Sequence, residues 1–85
     1  MTTYCVGSNM GGYMPDSEPN LAHNQRDALE MLKSELRQTI EVCEDEEYYS
    51  DRWIEAMITN AKRTLKQNRE AYVWIGNRVH WVTPQ

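Results

Sequence analysis

The side chains that could perform acid–base or nucleophilic chemistry are few and far apart in this 85-residue chain. His23 and His80 are the only histidines, and Cys5 and Cys43 are the only cysteines. None of the four has a partner at the spacing that a nucleophile–base pair or a zinc site requires. We therefore predict that the chain is not an enzyme and that it holds no metal and no cofactor.

The densest chemical feature is an acidic run that ends in two tyrosines, and it supplies most of the candidate partner-binding residues. These are Glu41, Glu44, Asp45, Glu46, Glu47, Tyr48 and Tyr49. One interpretation is a solvated connection between two helices, in which acidic side chains also suit the N-terminal end of the second helix. The other is an acidic patch that binds a basic surface.

A second candidate is Tyr13, in the irregular segment between Met10 and Asn20. Adjacent glycines, together with Pro15 and Pro19, exclude a regular helix or strand there. A loop of this length in a small domain is usually functional or mobile. Tyr13 either closes one end of a small core or anchors a partner, and the sequence leaves both interpretations open.

Charge is divided unevenly along the chain. Residues 1–51 carry a net charge of −8 and residues 52–85 a net charge of +4, so the total is −4. Most of the basic side chains near the C-terminal end form a cluster comprising Lys62, Arg63, Lys66 and Arg69. Such a cluster either complements the negative end of a helix dipole or binds phosphate. The overall acidity argues against direct binding of nucleic acid.

Two helices are predicted from apolar side chains that recur every three or four residues. The first spans residues 24–43, begins at an Asn24 cap and buries Leu29, Leu32, Leu36 and Ile40. The second spans about residues 51–67, begins at a Ser50 cap and buries a stripe made of Ile54, Met57, Ile58, Ala61 and Leu65. Each helix needs a covering surface, because an isolated one-sided helix is unstable in water.

Strands are predicted at both ends of the chain. The β-branched and aromatic segment from Thr3 to Val6 suits a short strand that Gly7 ends. Residues 71–83 form two strands around a Gly76-Asn77 turn, with Tyr72 opposite Trp81. Because one hairpin face carries Arg78 and His80, we place that face outward. The uncharged face is then expected to cover the helices, and it consists of Tyr72, Trp74, Val79 and Trp81.

The sequence therefore predicts one α+β domain over residues 1–85. Its antiparallel sheet has about three strands, including the C-terminal hairpin, and two helices pack on one face. No run approaches the roughly 20 apolar residues that a membrane span needs, so no membrane association is expected. The start of the chain lacks the basic and apolar regions of a secretory signal, which favours an intracellular protein.

Three segments together resemble a group of small, largely uncharacterised bacteriophage proteins. They are the loop Gly12-Tyr13-Met14-Pro15-Asp16-Ser17-Glu18-Pro19, the helix containing Ala28-Leu29, and the hairpin Tyr72-Val73-Trp74-Ile75-Gly76 with Val79-His80-Trp81. The resemblance brings no catalytic residue. By analogy with anti-CRISPR and other anti-defence proteins, it implies an inhibitor in the cytoplasm of a bacterial host. The implied partner is a host protein or ribonucleoprotein complex with a basic surface.

Two alternatives to the inhibitor remain. The first is a nucleic-acid-binding module that uses Lys62, Arg63, Lys66, Arg69 and Arg78. The second is a structural or assembly protein that forms a homodimer or larger oligomer. Its contact would be the outer sheet face, or a free edge of the first strand near Tyr4 and Val6.

Overall fold

The structure is a computed structural model that describes residues 3–10, 12, 18–43 and 49–85. Within these residues the chain forms, in order, β1 Tyr4–Met10, β2 Asn20–Ala22, α1 Gln25–Cys43, α2 Asp51–Asn68, β3 Ala71–Ile75 and β4 Arg78–Pro84. The strands pair antiparallel in the order β2-β1-β4-β3, and both helices pack on one face of the sheet. The predicted α+β class is confirmed, with β2 added to the three strands expected.

Helix α1 forms as its sequence predicts. The Asn24 Oδ1 atom accepts a hydrogen bond from the Asp27 backbone N–H at 2.8 Å, which caps the first turn. Leu32 and Leu36 are fully buried, and Leu29 and Ile40 lie on the same stripe in the core. The apolar spacing therefore identified the central packing surface of the protein correctly.

Helix α2 is defined at both ends by side-chain and backbone caps. The Ser50 hydroxyl accepts a hydrogen bond from the Trp53 N–H at 3.3 Å, as predicted. The helix ends at Arg69, whose left-handed φ of 63° lets its N–H donate to the Leu65 carbonyl at 2.9 Å. Ile54, Ala61 and Leu65 are buried, which confirms the predicted stripe. Trp53, Met57 and Ile58 are partly buried against the same core.

The β3–β4 hairpin has the predicted turn and register. Gly76 takes a positive φ of 59°, whereas Asn77 does not, which is the pattern of a type II′ turn with glycine first. Ile75 pairs with Arg78 and Tyr72 pairs with Trp81.

The predicted orientation of this hairpin was wrong, because its two faces are reversed. Val73, Ile75 and Val82 are buried against the helices. Tyr72 and Trp74, which we expected in the core, remain 54% and 52% exposed on the outer face. The β-branched side chains lie beneath the helices, and the aromatic rings lie on the opposite face of the sheet.

The predicted faces were reversed partly because we expected His80 to be exposed, whereas it is buried. Its side chain is 1% exposed, and its Nε2 atom lies 3.1 Å from the Thr39 hydroxyl. Its Nδ1 atom lies 3.7 Å from a carboxylate oxygen of Glu35. Arg78, also expected outside, is partly buried and donates a hydrogen bond to the Ser8 hydroxyl at 3.1 Å. Thr39 of α1 and Ser8 of β1 thus each give one of these two side chains a hydrogen bond on the helix-facing side. Within the described residues, the His80 Nδ1 atom and the facing Glu35 oxygen are buried without a hydrogen-bond partner.

Strand β1 is longer and more central than the sequence suggested. It continues through Gly7 to Met10, because residues 4–10 all pair with β4. Its other side pairs with β2, from Tyr4 opposite Ala22 to Val6 opposite Asn20. The prediction that β1 ends after Val6 was therefore wrong, and so was the prediction that it has a free edge.

Gly7 lets the Trp81 ring lie directly over β1. A Cβ atom at position 7 would lie 2.6 Å from Trp81 Cζ2 and 3.3 Å from Pro19 Cβ. The ring cannot swing aside freely, because its Nε1–H donates to the Asn9 Oδ1 atom at 2.7 Å. Glycine at this position is required by close packing.

We expect Gly7→Ala to lower the free energy of unfolding by about 1–3 kcal/mol, because the added methyl group overlaps a held ring. Urea denaturation measures the change. In a Trp81→Ala background the same substitution should cost much less, since the overlapping atoms are absent. An equal cost in both backgrounds would contradict this explanation.

Candidate protein-binding surfaces

The helices α1 and α2 pack side by side as an antiparallel hairpin, and side-chain contacts join them along its length. Near the middle, the Lys33 ammonium group forms an ion pair with Glu55. The hydrogen bond that Lys33 donates to Glu55, together with the positive charge of Lys33, holds the pKa of the Glu55 carboxyl below its ordinary value. Towards one end, the Gln25 side chain donates to the Lys62 carbonyl at 3.5 Å. The last turn of α1 therefore lies beside the first turn of α2.

The first candidate surface is this shared end of α1 and α2, which we call the acidic end. Glu41 and Asp51 are both exposed there and line the same surface cavity of about 360 Å³. The side chains of Ile40, Tyr49 and Ile54 also line it. An apolar floor between two carboxylates can accept the aliphatic stem and the charged head of a lysine or arginine.

Arg37 is the basic side chain in the same cavity. Its Nε atom lies 3.8 Å from a carboxylate oxygen of Asp51. Both side chains are largely exposed, so this pair is weak and water screens it. A basic group from a partner can therefore compete with Arg37 for Asp51.

Tyr49 contributes to the cavity from a fixed position. Its ring meets Trp53 edge to face, with the ring centroids 4.7 Å apart and the planes at 66°. It is half-buried and packs against the core. Tyr49 is thus a rigid part of the cavity wall and also a structural residue.

The predicted partner-binding residues divide into two groups. Glu41 and Tyr49 are described and are brought together at the acidic end. The remaining candidates lie outside the described residues, and they are Tyr13, Glu44, Asp45, Glu46, Glu47 and Tyr48. Sequence reasoning did not include Asp51 in the set, because its place in the first turn of α2 already explained an acidic residue.

A basic end lies at the opposite side of the helical hairpin. Arg26 from α1 joins Lys62 and Lys66 from α2 around a cavity of about 440 Å³. Arg63 instead donates to Asn60 Oδ1 at 2.7 Å, and Arg78 lies on β4. The cavity therefore contains two of the five predicted basic residues, and Arg26, from the acidic half of the chain, is an unexpected member.

The outer sheet face is the third candidate surface. Tyr72, Trp74, Val79 and Trp81 line an open cavity of about 480 Å³ with Asn9, Gly12 and Thr83. The polar groups of two rings already have partners. Trp81 donates to Asn9, and the Tyr72 hydroxyl donates to Glu70 Oε2 at 3.1 Å. Partial burial, this hydrogen bond and the negative charge of Glu70 raise the pKa of Tyr72 above its ordinary value.

Within the described parts of the chain, no group of three or more His, Cys, Asp or Glu side chains is placed to hold a metal ion. Neither described helix is long and apolar enough to cross a bilayer. No protein-family model, curated protein or solved structure matches this chain.

Proposed function

We propose that this protein binds and inhibits a nucleic-acid-handling complex by placing its acidic end on a basic surface of that complex. The observation that carries the proposal is the geometry of the acidic end. Glu41 and Asp51 border one cavity, and the segment that joins α1 to α2 adds Glu44, Asp45, Glu46 and Glu47 to the same part of the chain.

Charge complementarity indicates what kind of surface the acidic end binds. Surfaces that hold DNA or RNA are rich in lysine and arginine, because binding requires neutralisation of phosphates. An acidic protein attracts such a surface at long range and occupies the positions of the phosphates. The expected class of partner, a bacterial host complex inhibited by a phage-type protein, follows the resemblance drawn from the sequence.

The separation of charge also orients the protein. Arg26, Lys62 and Lys66 lie at the far end of the helical hairpin. A basic partner surface therefore attracts one end of the hairpin and repels the other. Such a charge pattern favours one docking orientation and speeds productive encounters.

Affinity capture from a bacterial lysate tests the proposal. We expect the immobilised protein to retain a nucleic-acid-binding protein or complex at low salt and to release it as salt rises. A matched column should carry the Glu41→Lys/Asp51→Lys variant, which should retain much less of it. Equal retention by both columns would contradict the assigned surface.

A second candidate function is direct binding of nucleic acid through the basic end. The observation in its favour is that folding adds Arg26 to Lys62 and Lys66. A gel-shift titration at low salt distinguishes the two functions. Our proposal expects no shift at micromolar protein, whereas a shift abolished by Lys62→Glu/Lys66→Glu would favour the second candidate.

A further inference from the structure

The two edges of the sheet differ in their protection. At one edge, β2 has only three residues, follows Pro19 and leads directly into α1. At the other edge, β3 consists of Ala71, Tyr72, Val73, Trp74 and Ile75. It has no charged residue, proline or glycine, which are the features that usually prevent edge strands from pairing with other chains.

The hairpin turn determines which backbone groups of β3 face this edge. In a two-residue turn, the flanking residues Ile75 and Arg78 form a hydrogen-bonded pair. Because such pairs alternate along an antiparallel ladder, Val73 and Ala71 also bond to β4. Tyr72 and Trp74 consequently direct their N–H and C=O groups outward. Among the described residues no strand pairs with this side of β3.

We propose that a second copy of this chain covers the β3 edge in an antiparallel, two-fold symmetric pairing centred on Val73. Tyr72 of one copy then lies opposite Trp74 of the other, and each such pair exchanges both N–H···O bonds. The pairing uses all five residues of β3 and joins the two four-stranded sheets into one.

Side-chain complementarity supports this register. On the helix-facing side, small Ala71 meets large Ile75 of the second copy, and the two Val73 side chains meet on the axis. On the outer side, Tyr72 meets Trp74, and aromatic cross-strand pairs stabilise sheets. No charged side chain of β3 opposes a like charge, although each copy is acidic overall.

The difference between the edges also explains why the assembly closes as a dimer. Pairing of β3 with β2 of another copy would be head-to-tail and would continue into a fibre. The short β2 edge beside Pro19 disfavours that contact. Pairing of β3 with β3 uses the same edge of both copies. The dimer therefore has no unpaired β3 edge left to bind a third copy.

The second copy also completes the outer aromatic surface. Tyr72 and Trp74 line the outer cavity of one copy at its edge. In the dimer the corresponding rings of the second copy extend that surface across the axis. The dimer further carries two acidic ends, which would give a multivalent partner added avidity. The pairing itself does not depend on the proposed inhibitory function.

Sedimentation velocity over a range of concentrations tests the pairing and its register. Five-residue edges form a small interface, so we expect a concentration-dependent dimer of the 10.0 kDa chain. Tyr72→Lys/Trp74→Lys places lysines opposite each other in this register and should remain monomeric. Tyr72→Glu/Trp74→Lys places glutamate opposite lysine and should restore the dimer. Circular dichroism should show that both variants fold, because positions 72 and 74 are half-exposed.

Three results would overturn the inference. The first is a wild-type protein that stays monomeric at the highest concentration. The second is a dimer that persists in the double-lysine variant, which would place the contact elsewhere. The third is a glutamate–lysine variant that is as monomeric as the double-lysine variant, which would exclude the register. None of these results bears on binding through the acidic end, which the capture experiment measures separately.

Discussion

Leu36→Ala should lower the free energy of unfolding by about 2–5 kcal/mol, the range typical of a fully buried leucine. Leu36 is fully buried in the core where α1 covers the sheet. In a domain of this size each kcal/mol shifts the melting temperature by about 4–8 °C. The loss is therefore a large part of the few kcal/mol that stabilise a small domain.

Val42→Ala is the matched control for this substitution. Val42 lies on the same helix but is 77% exposed, so removing its methyl groups should change stability by no more than about 0.5 kcal/mol. Urea denaturation of both variants measures the contrast. If Leu36→Ala left the urea midpoint unchanged, the α1 stripe would not be the core of the protein.

The helices could be predicted from the sequence because their signals are local. The spacing from Leu29 to Ile40 identifies the buried face of α1, and Asn24 and Ser50 satisfy backbone groups within one turn. The Gly76-Asn77 turn likewise determines the register of its own two strands. Each of these features depends on residues only a few positions apart.

The sheet faces could not be predicted in this way, because both faces of the hairpin contain apolar side chains. Their assignment depends on His80, which is buried beneath α1, where Thr39 lies at hydrogen-bond distance and Glu35 lies 3.7 Å away. The sequence does offer one signal, since Glu35 and Thr39 are four residues apart beside the apolar stripe. A polar pair at this position indicates that α1 faces a buried polar group.

The pairing of β1 and β2 depends on contacts between distant parts of the chain. Gly7 looked like the end of a strand, but Trp81 from the other end of the chain covers it. The three residues of β2 are defined as a strand by their pairing with β1, which pairs with β4 on its other side. No local pattern specifies either result.

The candidate acidic end was partly visible in the sequence. The run from Glu41 to Glu47 identifies the charge, but its meaning depends on how the helices are arranged. The antiparallel hairpin brings Asp51 beside Glu41 and moves Arg26 to the opposite end with Lys62. The charge separation along the chain thus becomes a separation in space.

The largest functional effect should come from reversing charge at the acidic end. We expect Glu41→Lys, Glu44→Lys and Glu47→Lys together to abolish partner binding, because attraction to a basic surface becomes repulsion. Folding should be retained. Glu41 is exposed in the last turns of α1, where a cation is favourable beside the helix dipole.

A triple reversal elsewhere is the matched control. Glu18, Glu30 and Glu70 are exposed and lie outside the acidic end, and changing them to lysine alters the net charge by the same amount. This control should keep most of its affinity. Equal losses in both triple variants would mean that only net charge matters, and equal retention would exclude the acidic end as the contact.

The most direct test of the central claim is a competition titration on the captured complex. A labelled nucleic acid is first bound to the complex, and the protein is then added at increasing concentration. We predict that the wild-type protein releases the label in a saturable, stoichiometric manner, that the acidic-end triple variant fails to do so, and that high salt weakens the release. A complex that holds the protein and its nucleic acid at the same time, with no loss of label, would contradict the account.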